Sequence, residues 1–423
     1  MPFNANINRR KILRVGSALV AAPAYLRMSS ARAADEVFKI GLVSPLTGPL
    51  AGFGEAQDWI IAGLKDSIAG LPTKIEIIAK DSQSNPNRAA EVATELIEKD
   101  GVKLLLGKDT PDTTNPVADQ AEINGVPCIT NNCPWQPYFF GRNGNPAEGF
   151  KWTYHYFWGL EDIIANFVGL WDQSGAAKKV GGLFPNDADG NAWGDAKLGL
   201  PGPLAAAGYE LVDPGRYQPL NNDFSAQISA FKAAGVEIVT GVMIPPDFAT
   251  FWAQAAQQGF KPKVVTIGKA LLFPASVDAL GDRGDGLTSE IWWSPNHPFK
   301  SSLTGMSAKD LADGYTAASG KPWTQPLGFA HSIFEVAFDV IKRTKDLNDP
   351  ESILAAILET ELDTITGRIS WKGGPNNPVK NVCKTPLVGG QWTKGDKGLD
   401  LVITTNVQQA NIPVAGKVRL LNQ

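Results

Sequence analysis

From residue 38 onward, short runs of apolar residues alternate with longer segments whose apolar residues recur every three or four positions. Phe38–Val43 (FKIGLV) is typical of a buried strand, and Asn87–Lys99 has the apolar spacing of one helix face. The same alternation returns between residues 161 and 267. Repeated strand–helix units in both halves predict an α/β fold of two doubly wound, Rossmann-like lobes.

The pattern changes near residue 286, which indicates how the two lobes are joined. A strand at Leu287–Trp293 precedes several helices, and the tail from Ile365 is rich in Gly, Pro and short β runs. If the chain returns to the first lobe near Ile291 and leaves it near Thr366, the lobes share a multi-strand hinge that permits closure. The predicted lobes are residues 34–157 with 291–366, and residues 158–290 with 367–423.

The first 33 residues have the pattern of an export signal. A basic segment contains Arg9-Arg10, the apolar run Val15–Leu26 is too short to span a bilayer, and Ala31-Arg32-Ala33 is a small-x-small cleavage site. The paired arginines favour twin-arginine export, and an ordinary signal peptide stays open as the alternative. We expect cleavage near Ala33 and a protein that works in the periplasm.

Composition excludes several classes of function. The formal net charge of −4 and the absence of a basic stripe argue against a nucleic-acid partner. The three histidines lie far apart, and the chain has no HExxH, CxxC or GxSxG motif. Gly101–Lys108 departs from a phosphate loop in its spacing, and Asp109 stands where that loop has Ser or Thr. We therefore predict no catalytic activity, no metal and no cofactor.

Three cysteines are too few for a disulfide framework. Cys128 and Cys133 are close enough in sequence to form a disulfide in an oxidising compartment, which would leave Cys383 alone. Three buried thiols are the alternative.

The segment Lys103–Trp135 is the best candidate for a functional site. A strand at Leu104–Leu106, a helix and a second strand ending near Thr130 predict a parallel pair, whose carboxyl ends open on one edge of the sheet. Open parallel sheets bind ligands at that edge. The loops Gly107–Thr114 and Thr130–Trp135 should therefore face one pocket.

Four stretches, in this order and spacing, resemble a known family: Ile40–Glu55 (IGLVSPLTGPLAGFGE), Lys80–Gly107, Asn115–Thr130 and Gly235–Pro262. They are similar to the leucine/isoleucine/valine-binding family, the extracytoplasmic solute receptors of ABC importers. The resemblance covers essentially all of the mature chain. It implies a type I periplasmic-binding-protein fold, a small ligand between two lobes, and delivery to an ABC permease in the inner membrane. We expect a monomer.

The resemblance also indicates site residues, and several depart from the family pattern. Phe53 and Trp193 match its ligand-contacting aromatics, and His331 stands where a tyrosine is frequent. Lys269 follows a strand after which the family often has an acidic residue. The two predicted loops contribute the other candidates. The predicted ligand-binding residues are Phe53, Thr110, Asp112, Thr113, Asn132, Trp135, Trp193, Lys269 and His331.

These departures leave two ligand classes open. Lys269 would favour an organic carboxylate, and flat apolar faces at Phe53, Trp135 and Trp193 suit an aromatic or aliphatic body. If Asp109 or Asp112 binds an ammonium, the ligand is an amino acid. Purely structural roles are the alternatives: helix capping for Asp112, a surface position for Lys269 and packing for Trp135. A ligand-sensing receptor and an exported enzyme are the alternative functions.

Overall fold

The structure, a computed structural model, describes residues 37–395 and 398–421. The predicted export signal, with its arginine pair and the cleavage site near Ala33, lies outside these residues. The strands, numbered along the chain, are β1 (Phe38–Ser44), β2 (Ile75–Asp81), β3 (Leu104–Lys108), β4 (Cys128–Asn131), β5 (Thr153–Tyr156), β6 (Lys179–Leu183), β7 (Glu210–Val212), β8 (Ile238–Met243), β9 (Val264–Lys269), β10 (Thr288–Ile291), β11 (Glu361–Thr364), β12 (Gly367–Ser370), β13 (Val382–Cys383), β14 (Val388–Gly395) and β15 (Gly398–Thr405). The α-helices are α1 (Gln57–Gly63), α2 (Lys65–Ala69), α3 (Pro86–Glu95), α4 (Pro111–Asn124), α5 (Trp135–Phe139), α6 (Leu160–Ser174), α7 (Ala188–Trp193), α8 (Pro201–Ala206), α9 (Ser225–Ala234), α10 (Pro245–Gln257), α11 (Pro274–Asp278), α12 (Ala308–Ser319), α13 (Gln325–Arg343) and α14 (Pro350–Leu358).

The strands form one large sheet in each lobe. The first sheet has the order β13-β5-β4-β3-β1-β2, and its neighbours pair in parallel. The second has the order β15-β14-β10-β9-β8-β6-β7, with an antiparallel edge formed by β14 and β15. Strands β3 and β8 are buried along their whole length, as expected for parallel strands covered by helices on both faces. The prediction of two doubly wound α/β lobes is confirmed.

Within the described residues the chain passes between the sheets three times, after β5, β10 and β13, and these segments form the hinge. The last passage follows Cys383, whereas the sequence pattern places it near Thr366. The difference arises because β13 pairs in parallel with β5, and because the Trp371 indole N–H donates to the His155 carbonyl at 3.0 Å. Residues 367–383 therefore belong with the first lobe.

Helix α4 begins inside the segment predicted to be a loop. Thr110 is its N-cap and Pro111 takes the first helical position, where a proline loses no hydrogen bond. Asp112 and Thr113 consequently lie in the first helical turn, and Pro116 lies within the helix. The free amide groups of this turn still face the carboxyl end of the sheet.

The three cysteines, Cys128, Cys133 and Cys383, are free and buried. Burial raises the pKa of the Cys128 thiol to about 12 and that of Cys383 to about 11. Of the two alternatives for these residues, the structure has the three buried thiols.

Helix α13 is the central core helix of the first lobe. It is buried on nearly every side, including its polar residues His331, Ser332 and Glu335. An all-round buried helix belongs to the interior of a large lobe. In the described part of the chain, neither this helix nor any other has the length and apolar character needed to cross a membrane.

Candidate functional site

A cavity of about 20 Å³ lies between the lobes, at the carboxyl ends of the central strands of both sheets. This is the edge at which open parallel sheets bind ligands. The first lobe and the segment after β5 contribute Phe53, Asp109, Thr110, Asn132, Pro134, Phe157 and Trp158. The second lobe and the segment after β10 contribute Asp189, Trp193, Val242, Lys269, Glu290 and Trp292.

Three polar residues reach the cavity from a left-handed backbone conformation. Asp109 follows β3 with φ 106°, Asn132 follows β4 with φ 65°, and Lys269 ends β9 with φ 65°. Such a conformation costs a residue with a side chain about 1–3 kcal/mol, and strain of this kind concentrates at functional sites. The strand ends are therefore shaped to direct these three side chains rather than to minimise backbone energy.

Asp109 forms a buried ion pair with the residue before it. The Lys108 ammonium lies 2.9 Å from Asp109 Oδ2 and also donates to the Phe53 carbonyl at 3.2 Å. Asn132 Nδ2 donates to Asp109 Oδ1 at 3.1 Å, and Ser44 Oγ donates to Oδ2 at 3.2 Å. Both oxygens of this carboxylate are therefore bonded within the protein.

Lys269 is likewise bonded to carboxylates of its own lobe. Its Nζ lies 2.5 Å from Asp189 Oδ2 and 3.8 Å from Asp187 Oδ2. Burial lowers the pKa of Lys269, but the carboxylates of Asp189 and Asp187 outweigh burial and raise that pKa above its usual value. The lysine is thus a fixed positive charge that two carboxylates already neutralise.

Asp189 keeps one oxygen unused. Asp189 is 3% exposed, and its Oδ1 has no hydrogen-bond partner among the described residues. Burial raises the pKa of Asp189 above its usual value, against the opposing effect of the Lys269 charge. Asp187 positions this carboxylate by capping α7, where it accepts from the Gly190 N–H at 2.7 Å. One face of Asp189 is therefore left for a donor in the cavity.

Glu290 is a second buried carboxyl group in the lining. It is 1% exposed and accepts from the Lys269 backbone N–H at 3.1 Å and from Ser289 Oγ at 3.0 Å. Burial raises its pKa to about 7. A methyl group on Gly268 would lie 2.8 Å from Trp193 Cη2 and 3.3 Å from the Glu290 carboxyl oxygens. The glycine thus leaves open the space where an indole and a carboxyl group converge.

Aromatic rings from the hinge form one wall. Phe157 and Trp158 follow β5 and Trp292 follows β10, so all three lie where the chain passes between lobes. The Trp292 ring centroid lies 4.9 Å from that of Phe157 and 6.0 Å from that of Trp158. Phe53 packs 6.1 Å from Trp292. Closure about the hinge would thus enclose a solute against these rings.

The two lobes also meet directly beside the cavity. Asp112 Oδ2, in the first turn of α4, accepts from the Ala188 N–H of α7 at 3.4 Å. Burial and the nearby Asp187 carboxylate raise the pKa of Asp112. This contact between lobes places the structure in a closed arrangement.

Five of the residues predicted from sequence line the cavity together: Phe53, Thr110, Asn132, Trp193 and Lys269. Their contact with a ligand stays a prediction, as it does for the other four residues.

The other four lie outside this lining. Asp112 contacts α7, and Thr113 bonds within the cap of α4 through Thr110. The Trp135 indole N–H donates to Glu161 Oε1 at 3.1 Å, which turns the ring away from the cavity. His331 Nε2 lies 2.8 Å from Ser301 Oγ, and burial lowers the pKa of this histidine to about 4.

Sequence reasoning did not identify Asp189, Glu290 or Trp292 as site residues. Two of them, Asp189 and Glu290, had a signal in the chain. Asp189 stands four residues before Trp193, which is the spacing of one helix face. Glu290 is the single charged residue in the otherwise uncharged run Leu287–Trp293, and a charged residue within a buried strand is a candidate for a functional site.

No group of three or more His, Cys, Asp or Glu side chains in the described residues could hold a metal ion. At about 20 Å³ the closed cavity is far smaller than the range of about 300–1,000 Å³ that is usual for small-molecule sites, so the lobes must open further to admit a solute.

Comparison with known proteins identifies the family. A family profile described as "Periplasmic binding protein" matches residues 37–394. Leu/Ile/Val-binding protein homolog 3 of Brucella melitensis biotype 1 is 25% identical over 404 residues, which span 86% of this chain and 95% of the relative. A leucine binding protein from Thermotoga maritima has a TM-score of 0.70 at 21% identity and covers 88% of this chain and 99% of its own.

A solute binding protein of an ABC transporter from Rhodopseudomonas palustris, in complex with 3,4-dihydroxy benzoic acid, has a TM-score of 0.71 at 21% identity. That match covers 89% of this chain and 99% of the other. These solved structures share the fold of two lobes around a cleft. The chain belongs to the leucine/isoleucine/valine-binding family of type I periplasmic binding proteins.

Proposed function

We propose that this protein is the extracytoplasmic solute-binding component of an ABC importer. After export and removal of the first 33 residues, it would act in the periplasm as a monomer, close its lobes over a small solute and deliver that solute to an inner-membrane permease. The observation that carries the proposal is the closed cavity, which both lobes line with buried charged groups and aromatic rings. It captures a solute and does not transform it.

Of the two ligand classes, the one that carries an ammonium group is better supported than the one that offers only a carboxylate. Lys108 and Lys269 each already bond a carboxylate, so an incoming organic or aromatic carboxylate would find no unpaired lysine in the lining. Asp189 Oδ1, in contrast, is a buried acceptor without a partner. An ammonium group would supply the donor that this oxygen lacks.

Tryptophan fluorescence tests whether a solute is captured by closure. Trp193 is 1% exposed in the closed arrangement, so adding a ligand to the open protein should change its emission. Small-angle scattering should show compaction at the same ligand concentrations. Trp193→Phe should reduce the signal and leave the part that comes from Trp158 and Trp292, whereas Trp252→Phe should retain it in full, because the Trp252 indole bonds the Arg283 carbonyl on the surface of the second lobe. Binding without compaction would contradict closure.

Lys269→Ala separates the two ligand classes. If the ligand is a carboxylate held by Lys269, this variant should lose affinity at least tenfold in a calorimetric titration. If the ligand carries an ammonium group, removal of the lysine leaves Asp189 free to bind it, and affinity should be kept or increased. Lys263→Ala, which removes an exposed pair with Glu237, is the matched control and should change neither result.

A further inference from the structure

The charges around the cavity do not balance. Asp109, Asp189 and Glu290 line it, and Asp112 and Asp187 flank it. The positive charges facing them are the lysines at positions 108 and 269, each already bonded to a carboxylate. The carboxyl groups at this place therefore outnumber the ammonium groups, and an added positive charge would be stabilised there.

Unpartnered atoms in the lining specify which hydrogen bonds a solute should make. Asp189 Oδ1 and Asn132 Oδ1 are buried acceptors without partners among the described residues. The indole N–H groups of Trp158, Trp193 and Trp292 are buried donors that likewise have no partner among the described residues. A buried polar atom without a partner destabilises the protein. A solute with N–H donors would satisfy the two acceptors, and one neutral oxygen or nitrogen acceptor would satisfy an indole.

The walls suit an organic cation. Tryptophan is the aromatic side chain that attracts cations best, and desolvation strengthens the attraction. Trp193 comes from the second lobe, and Trp158 and Trp292 come from the hinge. Because these rings are buried in the closed arrangement, a cation between them would meet aromatic surface and carboxylates rather than water.

A carboxylate on the solute would have the opposite effect. It would bring a further negative charge close to Asp189 and Glu290, where each lysine is already bonded. Like charges in a buried site repel strongly. The site therefore disfavours aromatic acids, and it disfavours an α-amino acid relative to the same body without its carboxylate.

Building on the proposed function, we infer that the solute is a small organic cation with N–H donors, such as an amidinium or a primary ammonium, and without a carboxylate. Asp189 and Asn132 accept its hydrogen bonds, Glu290 supplies the compensating charge, and the tryptophan rings enclose it.

Three probes of nearly the same shape and different charge test this inference. Benzamidinium, benzamide and benzoate carry charges of +1, 0 and −1, and L-leucine adds the amino-acid case. We expect calorimetric titration of the mature protein at pH 8 to show benzamidinium binding at least tenfold more tightly than benzamide, and benzoate binding weakest. The smaller set acetamidinium, acetamide and acetate should show the same order if the ring is too large for the cavity.

Each outcome decides between the claims. Tighter binding of benzoate or leucine than of either amidinium overturns the cation inference and leaves the solute-binding proposal standing. Equal affinity for the amidinium and the amide of each set also overturns the inference. Absence of binding and of compaction with every probe overturns both.

Two variants test whether Glu290 supplies the charge that favours a cationic solute. Glu290→Gln should weaken benzamidinium binding at least tenfold and leave benzamide binding within twofold. Glu335→Gln is the matched control, because Glu335 is also a buried glutamate with a raised pKa but lies in α13, bonded to the Ile365 N–H and outside the cavity lining. An equal loss of affinity in both variants would refute the assignment to Glu290.

Discussion

Replacing Glu290 by glutamine should stabilise the ligand-free protein, and more so at higher pH. Burial raises the pKa of Glu290 from 4.5 to about 7. Its hydrogen-bond donors are the Lys269 backbone N–H and the Ser289 hydroxyl. Glutamine keeps an oxygen for that N–H and cannot ionise, so the substitution removes the cost of a buried charge and little else.

The sign and size of this stability change follow from the linkage between proton binding and folding. Because the pKa is higher in the folded state, the folded protein binds more protons than the unfolded chain between about pH 4.5 and 7, and its stability falls as pH rises through that window. The full loss is about 3 kcal/mol, from 1.36 kcal/mol for each pKa unit. By the same linkage, the free energy of unfolding has fallen by about 1 kcal/mol at pH 5 and by nearly the full about 3 kcal/mol at pH 8. The increase in the free energy of unfolding that Glu290→Gln brings should therefore be about 2 kcal/mol larger at pH 8 than at pH 5.

Urea unfolding followed by circular dichroism at pH 5 and pH 8 measures this difference. The wild type and the variant should have similar slopes against urea and different midpoints at pH 8. A variant that gains stability while losing affinity for benzamidinium would identify Glu290 as a residue kept for binding at the expense of stability. Equal pH dependence in the two proteins would refute the reasoning.

Three further results are expected. Lys108→Met leaves the buried Asp109 carboxylate unpaired and should lower the free energy of unfolding by about 3–5 kcal/mol. Lys309→Met removes an exposed helical pair and should change the free energy of unfolding by less than about 1 kcal/mol. Urea unfolding measures both changes, and equal effects of the two substitutions would contradict this prediction. Gly268→Ala places a methyl against Trp193 and should weaken benzamidinium binding at least tenfold by calorimetry, unchanged affinity being the opposing result. Benzamidinium affinity should rise from pH 5 to pH 8 as Glu290 loses its proton, and a constant or falling affinity would count against a cationic solute.

Part of the site could be predicted because the order of strands along the chain already places certain residues at strand ends. Thr110 follows β3, Asn132 follows β4 and Lys269 ends β9, so a parallel sheet brings each to the same edge. Phe53 and Trp193 were located by motifs shared with the family. These five residues meet at one cavity in the structure.

Other residues show where sequence reasoning reaches its limit. The Trp135 indole bonds Glu161 instead of facing the cavity, and His331 bonds Ser301 inside the core. Both stand in positions that the family pattern associates with ligand. Which way such a side chain turns depends on a partner distant in sequence, and the local pattern contains no record of that partner.

The sequence by itself determined the fold, the family and the edge of each sheet at which the site forms, because those follow from apolar periodicity, strand order and motif spacing. Only the tertiary structure decided the chemistry of the site. Lys269 looked like an anchor for an anion until packing placed Asp189 against it, and Glu290 joined the lining because β10 lies beside β9. The charge that a buried site presents is a sum over groups brought together from distant parts of the chain, and that sum exists only after the lobes have folded.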